Sequence, residues 1–140
     1  MRLLISILVL FLTAVASPQL AASDGDQVIG EWRGTSLCTN LKLAPACKDE
    51  QVRYTFTRNA DETDSYHLVA DKLVSGAYES MGEMDLVYSA ADATWSSELN
   101  APKCAKCRWW FRLQSSDLIG GLTDSSGEAL RKVLVRRYVP

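Results

Sequence analysis

The sequence predicts an all-β domain, folded as an antiparallel up-and-down barrel of seven to eight strands. Short runs alternate between apolar and polar residues, as in Val52, Tyr54 and Phe56, which place apolar side chains on one face of a strand. Turn residues separate these runs, and no stretch has the spacing of a long helix. The last apolar run, 129–139, has the same alternation as the first, so we expect the two end strands to pair and close the barrel.

The alternation also places the individual strands. The run at 108–114 is the most pronounced, because Trp109, Phe111 and Leu113 share one face. Ser75-Gly76 breaks the pattern after the third run, and a looser segment through Gly82 follows. A loop at 101–104 separates the fifth run from the sixth. The expected strands are 29–38, 51–58, 66–71, 85–90, 94–100, 108–114, 117–122 and 130–138.

The first 16 residues have the features of a cleaved signal peptide. Arg2 precedes an apolar run that ends in Ala14-Val15-Ala16, a small-x-small cleavage signal, and a later cleavage as far as residue 22 is an alternative. The apolar run is shorter than the roughly 20 residues that a spanning helix needs. The sequence therefore predicts a secreted or periplasmic protein without membrane insertion of the mature chain, with a flexible lead-in at 17–27 and a barrel domain at 28–140.

The charge balance disfavours polyanionic partners. The chain has 15 basic and 17 acidic residues and a formal net charge of −2, which the loss of Arg2 makes one unit more negative. A protein of this kind has no overall electrostatic attraction to nucleic acid or to an anionic membrane. We expect neither as a partner.

The four cysteines predict two disulfides, because an even count in a small exported domain is typical of a disulfide framework. Pairs close in sequence, Cys38 with Cys47 and Cys104 with Cys107, are favoured since each brackets a turn signal; crossed pairings remain open. A redox role for Cys104 and Cys107 is disfavoured because the pair precedes a strand rather than a helix. The eight residues between the first two cysteines are too many for a zinc knuckle.

No catalytic constellation is evident in the sequence. His67 is the only histidine, and no Gly-x-Ser-x-Gly motif occurs, so we interpret His67 as an exposed strand residue and expect no catalytic residue, metal or cofactor. Aromatic side chains are the best candidates for recognition. Alternation puts Trp109 inside and Trp110 outside, the latter between Arg108 and Arg112. The candidate ligand-binding residues are Tyr54, Trp95, Trp109 and Trp110.

Gly30-Glu31-Trp32 in the first strand, together with an arginine near the end of the last strand, resembles the pattern of small secreted lipocalin-like (calycin-type) β-barrel proteins. In that family the indole closes one end of the barrel and the arginine lies across it. The resemblance assigns this role to Arg137, with Arg136 and Arg131 as alternatives. It implies a non-enzymatic module that binds a small apolar ligand.

A second resemblance gives the alternative function. Periplasmic inhibitors of metalloproteases use a similar compact barrel with a disulfide and a protruding N-terminal segment. On that interpretation the protein would bind a secreted protease through residues 17–27 and the barrel loops.

Overall fold

The computed structural model describes residues 22–140, which form a closed barrel of eight antiparallel strands. Each strand pairs with the next along the chain, and the last returns to pair with the first. The predicted all-β, up-and-down barrel is therefore confirmed. The elements are a 3-10 helix η1 (Asp24–Val28) and strands β1 (Gly30–Cys38), β2 (Glu50–Arg58), β3 (Ser65–Val74), β4 (Ala77–Ser89), β5 (Thr94–Ala101), β6 (Cys104–Gln114), β7 (Asp117–Thr123) and β8 (Ala129–Arg137).

The β1–β8 ladder closes the barrel, as the sequence predicted. Trp32 lies opposite Arg137, and Gly34 lies opposite Val135. A Cβ atom at position 34 would overlap the carbonyl oxygen of Leu134 and lie 2.9 Å from the Cα of Val135. The missing side chain at Gly34 therefore lets the two strands approach closely enough to pair.

The core fills the half of the barrel nearest η1. The rings of Tyr54 and Phe56 meet Phe111 edge-on, with centroids 5.8 and 5.5 Å away, an arrangement that aromatic pairs prefer. These side chains are inward-facing residues of the period-two alternation. The largest fully buried side chains are Trp32, Trp95, Tyr66, Phe56, Phe111, Leu68, Leu86, Leu118, Val28, Val52, Val133 and Val135.

Helix η1 covers one end of the barrel, which we call the closed end. Gly25 and Val28 are buried there, and the indole N–H of Trp95 donates to the carbonyl of Gly25 at 3.1 Å. The Asp26 carboxylate accepts hydrogen bonds from Arg58 and Tyr66 and so ties η1 to β2 and β3. Residues 24–27, assigned above to a flexible lead-in, are thus part of η1, in which Gly25 is buried while Asp24 and Gln27 stay exposed. Five residues of 3-10 helix are too short to show a periodic signal. The segment assigned to the signal peptide, 1–16, lies outside the described residues.

Strand β4 is longer than the alternation predicted. It begins at Ala77, within the segment expected to be loose, and pairs with β3 along its length. The register shifts between Ala70 and Asp71, so that Met81 is the extra residue of a β-bulge followed by Gly82 at φ +144°. One extra residue reverses the alternation, which explains why the sequence pattern failed here. Strand β6 likewise begins at Cys104, inside the expected loop 101–104.

Both disulfides join cysteines that are close in sequence, Cys38 to Cys47 and Cys104 to Cys107. The first connects the end of β1 to the following loop, and the second lies at the start of β6. Two disulfides in a small domain are typical of an oxidising, extracellular or periplasmic compartment. In the part of the chain that the structure describes, no helix has the length and apolarity needed to cross a membrane.

Candidate ligand-binding cavity

A cavity of about 570 Å³ occupies the half of the barrel opposite η1, which we call the open end. It exists because the large core side chains fill only the closed half. Its surface is mainly apolar, and the apolar lining residues are Leu68, Ala70, Met81, Met84, Leu99, Trp109 and Phe111. Lys72, Ser80 and Glu83 are polar lining residues on β3 and β4.

One side of the cavity is polar and is organised by Arg131. Its guanidinium donates from Nε to Ser36 Oγ at 2.8 Å and from Nη2 to the carbonyl of Lys48 at 2.9 Å. Nη2 also forms an ion pair with Glu50 Oε2 at 3.1 Å, and the two side chains are only 14% and 21% exposed. Several fixed partners hold this arginine, so its charge is neutralised by Glu50 rather than left free.

Tyr54 joins the polar side of the cavity to its apolar floor. Its ring packs edge-on against Phe111, while its hydroxyl hydrogen-bonds with Ser36. Burial raises the pKa of the Tyr54 phenol, and the Ser36 hydrogen bond only partly offsets this effect. The hydroxyl therefore stays neutral at physiological pH and can donate to a bound polar group.

A gap between β4 and β5 lets the cavity reach solvent through the side of the barrel. These strands pair only at Val87–Ser96, Tyr88–Trp95 and Ser89–Thr94, next to their connecting turn. Farther along, Leu99 on β5 and Met81 on β4 are 38% and 37% exposed.

Irregular backbone flanks the gap on its β4 side. There the extra residue Met81 bends the strand that carries it. The register shift between β5 and β6 places its extra residue on β6, because Leu99 to Ala101 is two steps and Cys107 to Cys104 is three. The Met81 bulge is therefore the irregularity that contributes to the separation of β4 from β5 at the level of the cavity.

The lipocalin-like motif residues meet at the closed end. The Arg137 guanidinium carbon lies 4.3 Å from the centroid of the Trp32 ring, and Arg137 donates to the carbonyls of Ile29 and Gln27. The Trp32 indole N–H donates to the carbonyl of Val28 at 2.7 Å. Gly30 has φ +125°, and a Cβ there would lie 2.8 Å from Arg137 Nη1. The geometry favours a structural role for Gly30, Trp32 and Arg137, because all three hold η1 in place.

The two alternative arginines lie elsewhere. Arg131 faces the cavity, as described above. Arg136 is on the outer surface, where it pairs with Asp117 at 3.2 Å.

The structure brings together two of the four candidate ligand-binding residues. Tyr54 and Trp109 line the cavity. Trp95 is 2% exposed and packs at the closed end against Tyr88, with ring centroids 4.8 Å apart. Trp110 lies on the outer surface, and Trp109 faces inward, in the orientations that alternation predicted.

Sequence reasoning missed the polar side of the cavity. Arg131 shares the alternation of Val133 and Val135, so its inward direction was readable from the sequence. Glu50 lies one residue before the predicted second strand and therefore gave no signal. The exposure of Met81 and Leu99 accompanies the β4 bulge and the gap between β4 and β5, which the alternation of the sequence does not indicate.

His67 lies on the outer face of the barrel and does not itself line the cavity. Its Nδ1 is 2.8 Å from Asp85 Oδ1, and its Nε2 is 3.4 Å from Glu83 Oε2. The hydrogen bond to Asp85 is the main cause that raises the pKa of His67 above 6.5, with Glu83 adding to it against partial desolvation. The His67 bond in turn lowers the pKa of Asp85.

The His67–Asp85 pair predicts a pH-dependent stability. Because the folded-state pKa of His67 is raised, the His67–Asp85 pair stabilises the folded state fully below pH 6.5. This stabilisation is lost as the pH rises through the folded-state pKa of His67. Thermal unfolding of the wild type and of His67→Gln, followed by circular dichroism between about pH 5 and pH 8.5, measures this. We expect the wild type to have a higher Tm than His67→Gln at the acidic end of this pH range. At the alkaline end the two Tm values should be the same. A difference that grows with pH would contradict the assignment.

Comparison with known proteins does not assign the chain to a family. No protein-family model matches the chain, and no curated protein matches it significantly. The closed eight-stranded antiparallel barrel is compatible with a lipocalin-like fold. The structure therefore establishes the barrel architecture, the two disulfides and the cavity.

Proposed function

We propose that the protein is an exported, lipocalin-like binding module that holds a small, mainly apolar molecule in the open half of its barrel. The observation that carries the proposal is the cavity of about 570 Å³, because sites for small molecules are typically concave, mostly apolar and about 300–1,000 Å³ in volume. Barrels of eight strands are just wide enough to hold one small ligand.

The lining residues define the chemistry of the ligand. Its apolar part would pack against Trp109, Phe111 and Leu68, and a polar group would reach Tyr54 and Ser36. Glu50 neutralises Arg131, whereas Lys72, which also lines the cavity, forms no ion pair with any carboxylate of residues 22–140. The cavity therefore favours a hydrogen-bonding or anionic group on an apolar body.

Export to the extracellular space or the periplasm is supported by the two disulfides and by the signal-like N-terminal sequence. The protease-inhibitor alternative has less support. It requires a protruding N-terminal segment, whereas Asp24–Val28, which overlaps that segment, is packed into the closed end.

Filling the cavity should abolish ligand binding. We use N-phenyl-1-naphthylamine, an uncharged aromatic amine whose fluorescence rises in apolar surroundings, as the probe. Ala70 is 9% exposed and lines the cavity, so Ala70→Phe would place a ring in the ligand's volume. We expect saturable binding to the wild type and at least a tenfold weaker affinity for Ala70→Phe, measured by fluorescence titration.

Val69→Phe is the matched control, because it adds the same ring to the opposite face of β3. It should bind the probe like the wild type. Circular dichroism establishes that both variants are folded. The proposal fails if no saturable binding occurs, or if folded Ala70→Phe binds as tightly as Val69→Phe.

A further inference from the structure

A second concave surface lies on the outside of the barrel. It is a groove of about 670 Å³ that runs along β7, between β6 and β8, and Trp110 forms part of its wall. The cavity proposed above as the ligand site is inside the barrel and shares only Arg131 with the lining of this groove. The groove lining comes mainly from β6, β7 and β8.

The two strands on either side of β7 repeat one pattern, in which an apolar side chain stands between two basic ones. On β6 the residues are Arg108, Trp110 and Arg112, and on β8 they are Lys132, Leu134 and Arg136. Trp110, Lys132 and Leu134 line the groove itself, and the three arginines lie beside it. Alternation places each set on the outer face of its strand.

The floor of the groove is β7. Gly121 lies between Trp110 and Lys132 in register, and the next outward residue of β7, Ile119, lies between Arg112 and Leu134. A Cβ at position 121 would lie 2.6 Å from the carbonyl oxygen of Arg131 and 3.4 Å from Trp110 Nε1. Gly121 therefore leaves room for the Trp110 indole.

The outer face of β6, β7 and β8 around the groove is basic, although the chain as a whole has a net charge of −2. The outward side chains of these three strands include four cations, whereas the acidic one is Asp117, which pairs with Arg136. For Arg108, Arg112 and Lys132, no carboxylate of residues 22–140 lies within 4.0 Å. Three cations are thus free to meet an external anion.

We propose that this groove binds an extended acidic segment of a partner protein that carries apolar side chains between its carboxylates. The seven residues of β7 span about 20 Å, which matches roughly six residues of extended peptide. The apolar side chains of the partner would pack against Trp110 and Leu134, and its carboxylates would pair with Arg112 and Lys132. Charge complementarity of this kind selects the partner and orients it.

Two other anionic partners fit the surface less well. A membrane surface is broad and flat, whereas Trp110 is half-buried in the wall of a concave groove. A nucleic acid extends far beyond 20 Å and would meet the acidic remainder of the protein. A short acidic peptide segment contacts the basic surface alone.

The test uses the exported protein and a fluorescein-labelled ten-residue peptide that alternates glutamate and phenylalanine. Fluorescence anisotropy should show saturable binding at a ratio of 1:1, and a peptide with lysine in place of glutamate should not bind. The double variant Arg112→Glu/Lys132→Glu should weaken binding at least tenfold, and Trp110→Ala at least threefold. If the first variant does not fold, Arg112→Gln/Lys132→Gln replaces it, with an expected loss of at least threefold.

The matched control is Lys42→Glu/Lys103→Glu, which changes two exposed lysines outside the groove and alters the net charge equally. It should change the affinity less than twofold. The proposal is overturned if the acidic peptide does not bind, if both double variants weaken binding equally, or if only phosphatidylserine vesicles bind and the groove variant abolishes that binding. Binding of N-phenyl-1-naphthylamine should be unaffected by the groove variants, so the two proposals fail or succeed separately.

Discussion

Trp32→Ala is expected to lower the free energy of unfolding by about 3–5 kcal/mol, the usual cost of truncating a fully buried aromatic side chain. Trp32 is 1% exposed and contacts both η1 and β8. Its loss would leave a cavity and remove the ring beneath Arg137. The carbonyl of Val28 would also lose the hydrogen bond that it accepts from the indole. Urea denaturation followed by far-ultraviolet circular dichroism measures the effect.

The control for this substitution is Trp110→Ala, which removes the same side chain from the outer surface. It should cost about 1 kcal/mol or less, since surface substitutions rarely cost more. Similar losses for the two variants would contradict the assignment of Trp32 as the residue that closes the barrel.

Gly34→Ala is expected to cost about 2–3 kcal/mol, toward the upper end of what overpacking usually costs. The added Cβ would meet backbone atoms of Leu134 and Val135, which cannot move aside as the end of a flexible side chain does. The strain falls on the β1–β8 ladder, where the barrel closes. Equilibrium unfolding in urea, with both disulfides intact, measures the loss.

Gly76→Ala is the comparison for this second substitution. Gly76 has φ +83° and no atom within 4 Å of the position that a Cβ would take, so alanine there adds backbone strain without a collision. We expect a cost of about 1 kcal/mol at Gly76. A larger cost there than at Gly34 would show that backbone conformation, rather than the close approach of β8, is the reason for the glycine.

Much of the barrel was predictable because alternation survives wherever one face of a strand packs on the core. Val52, Tyr54 and Phe56 show it in β2, and the pairing of the two end strands followed from it. The pattern failed in β4, where the Met81 bulge reverses the alternation. It also failed for η1, whose single buried turn is too short to have a period.

The candidate site was predictable only in part. The inward direction of Tyr54 and Trp109 follows from period two, but Trp95 has the same direction and still lies outside the cavity. Whether a side chain points into the barrel depends on its own strand, whereas its position along the barrel axis depends on the register of all eight strands. Local sequence therefore predicts which side chains point inward, but not which of them pack in the core and which line the cavity.

The sequence by itself determined the all-β class and the up-and-down order of the strands, because period-two alternation and turn residues encode these features, and it favoured the local pairing of the cysteines. The contact between Trp32 and Arg137 was expected from the lipocalin-like resemblance, with Arg136 and Arg131 as alternatives. Only the tertiary structure decided that a cavity remains at the open end, that Arg131 and Glu50 neutralise each other in its wall, and that the basic outward residues of β6 and β8 lie on either side of β7. These features depend on distances between residues far apart in the chain. Such distances are set by bulges, register and the summed volume of side chains around the whole barrel.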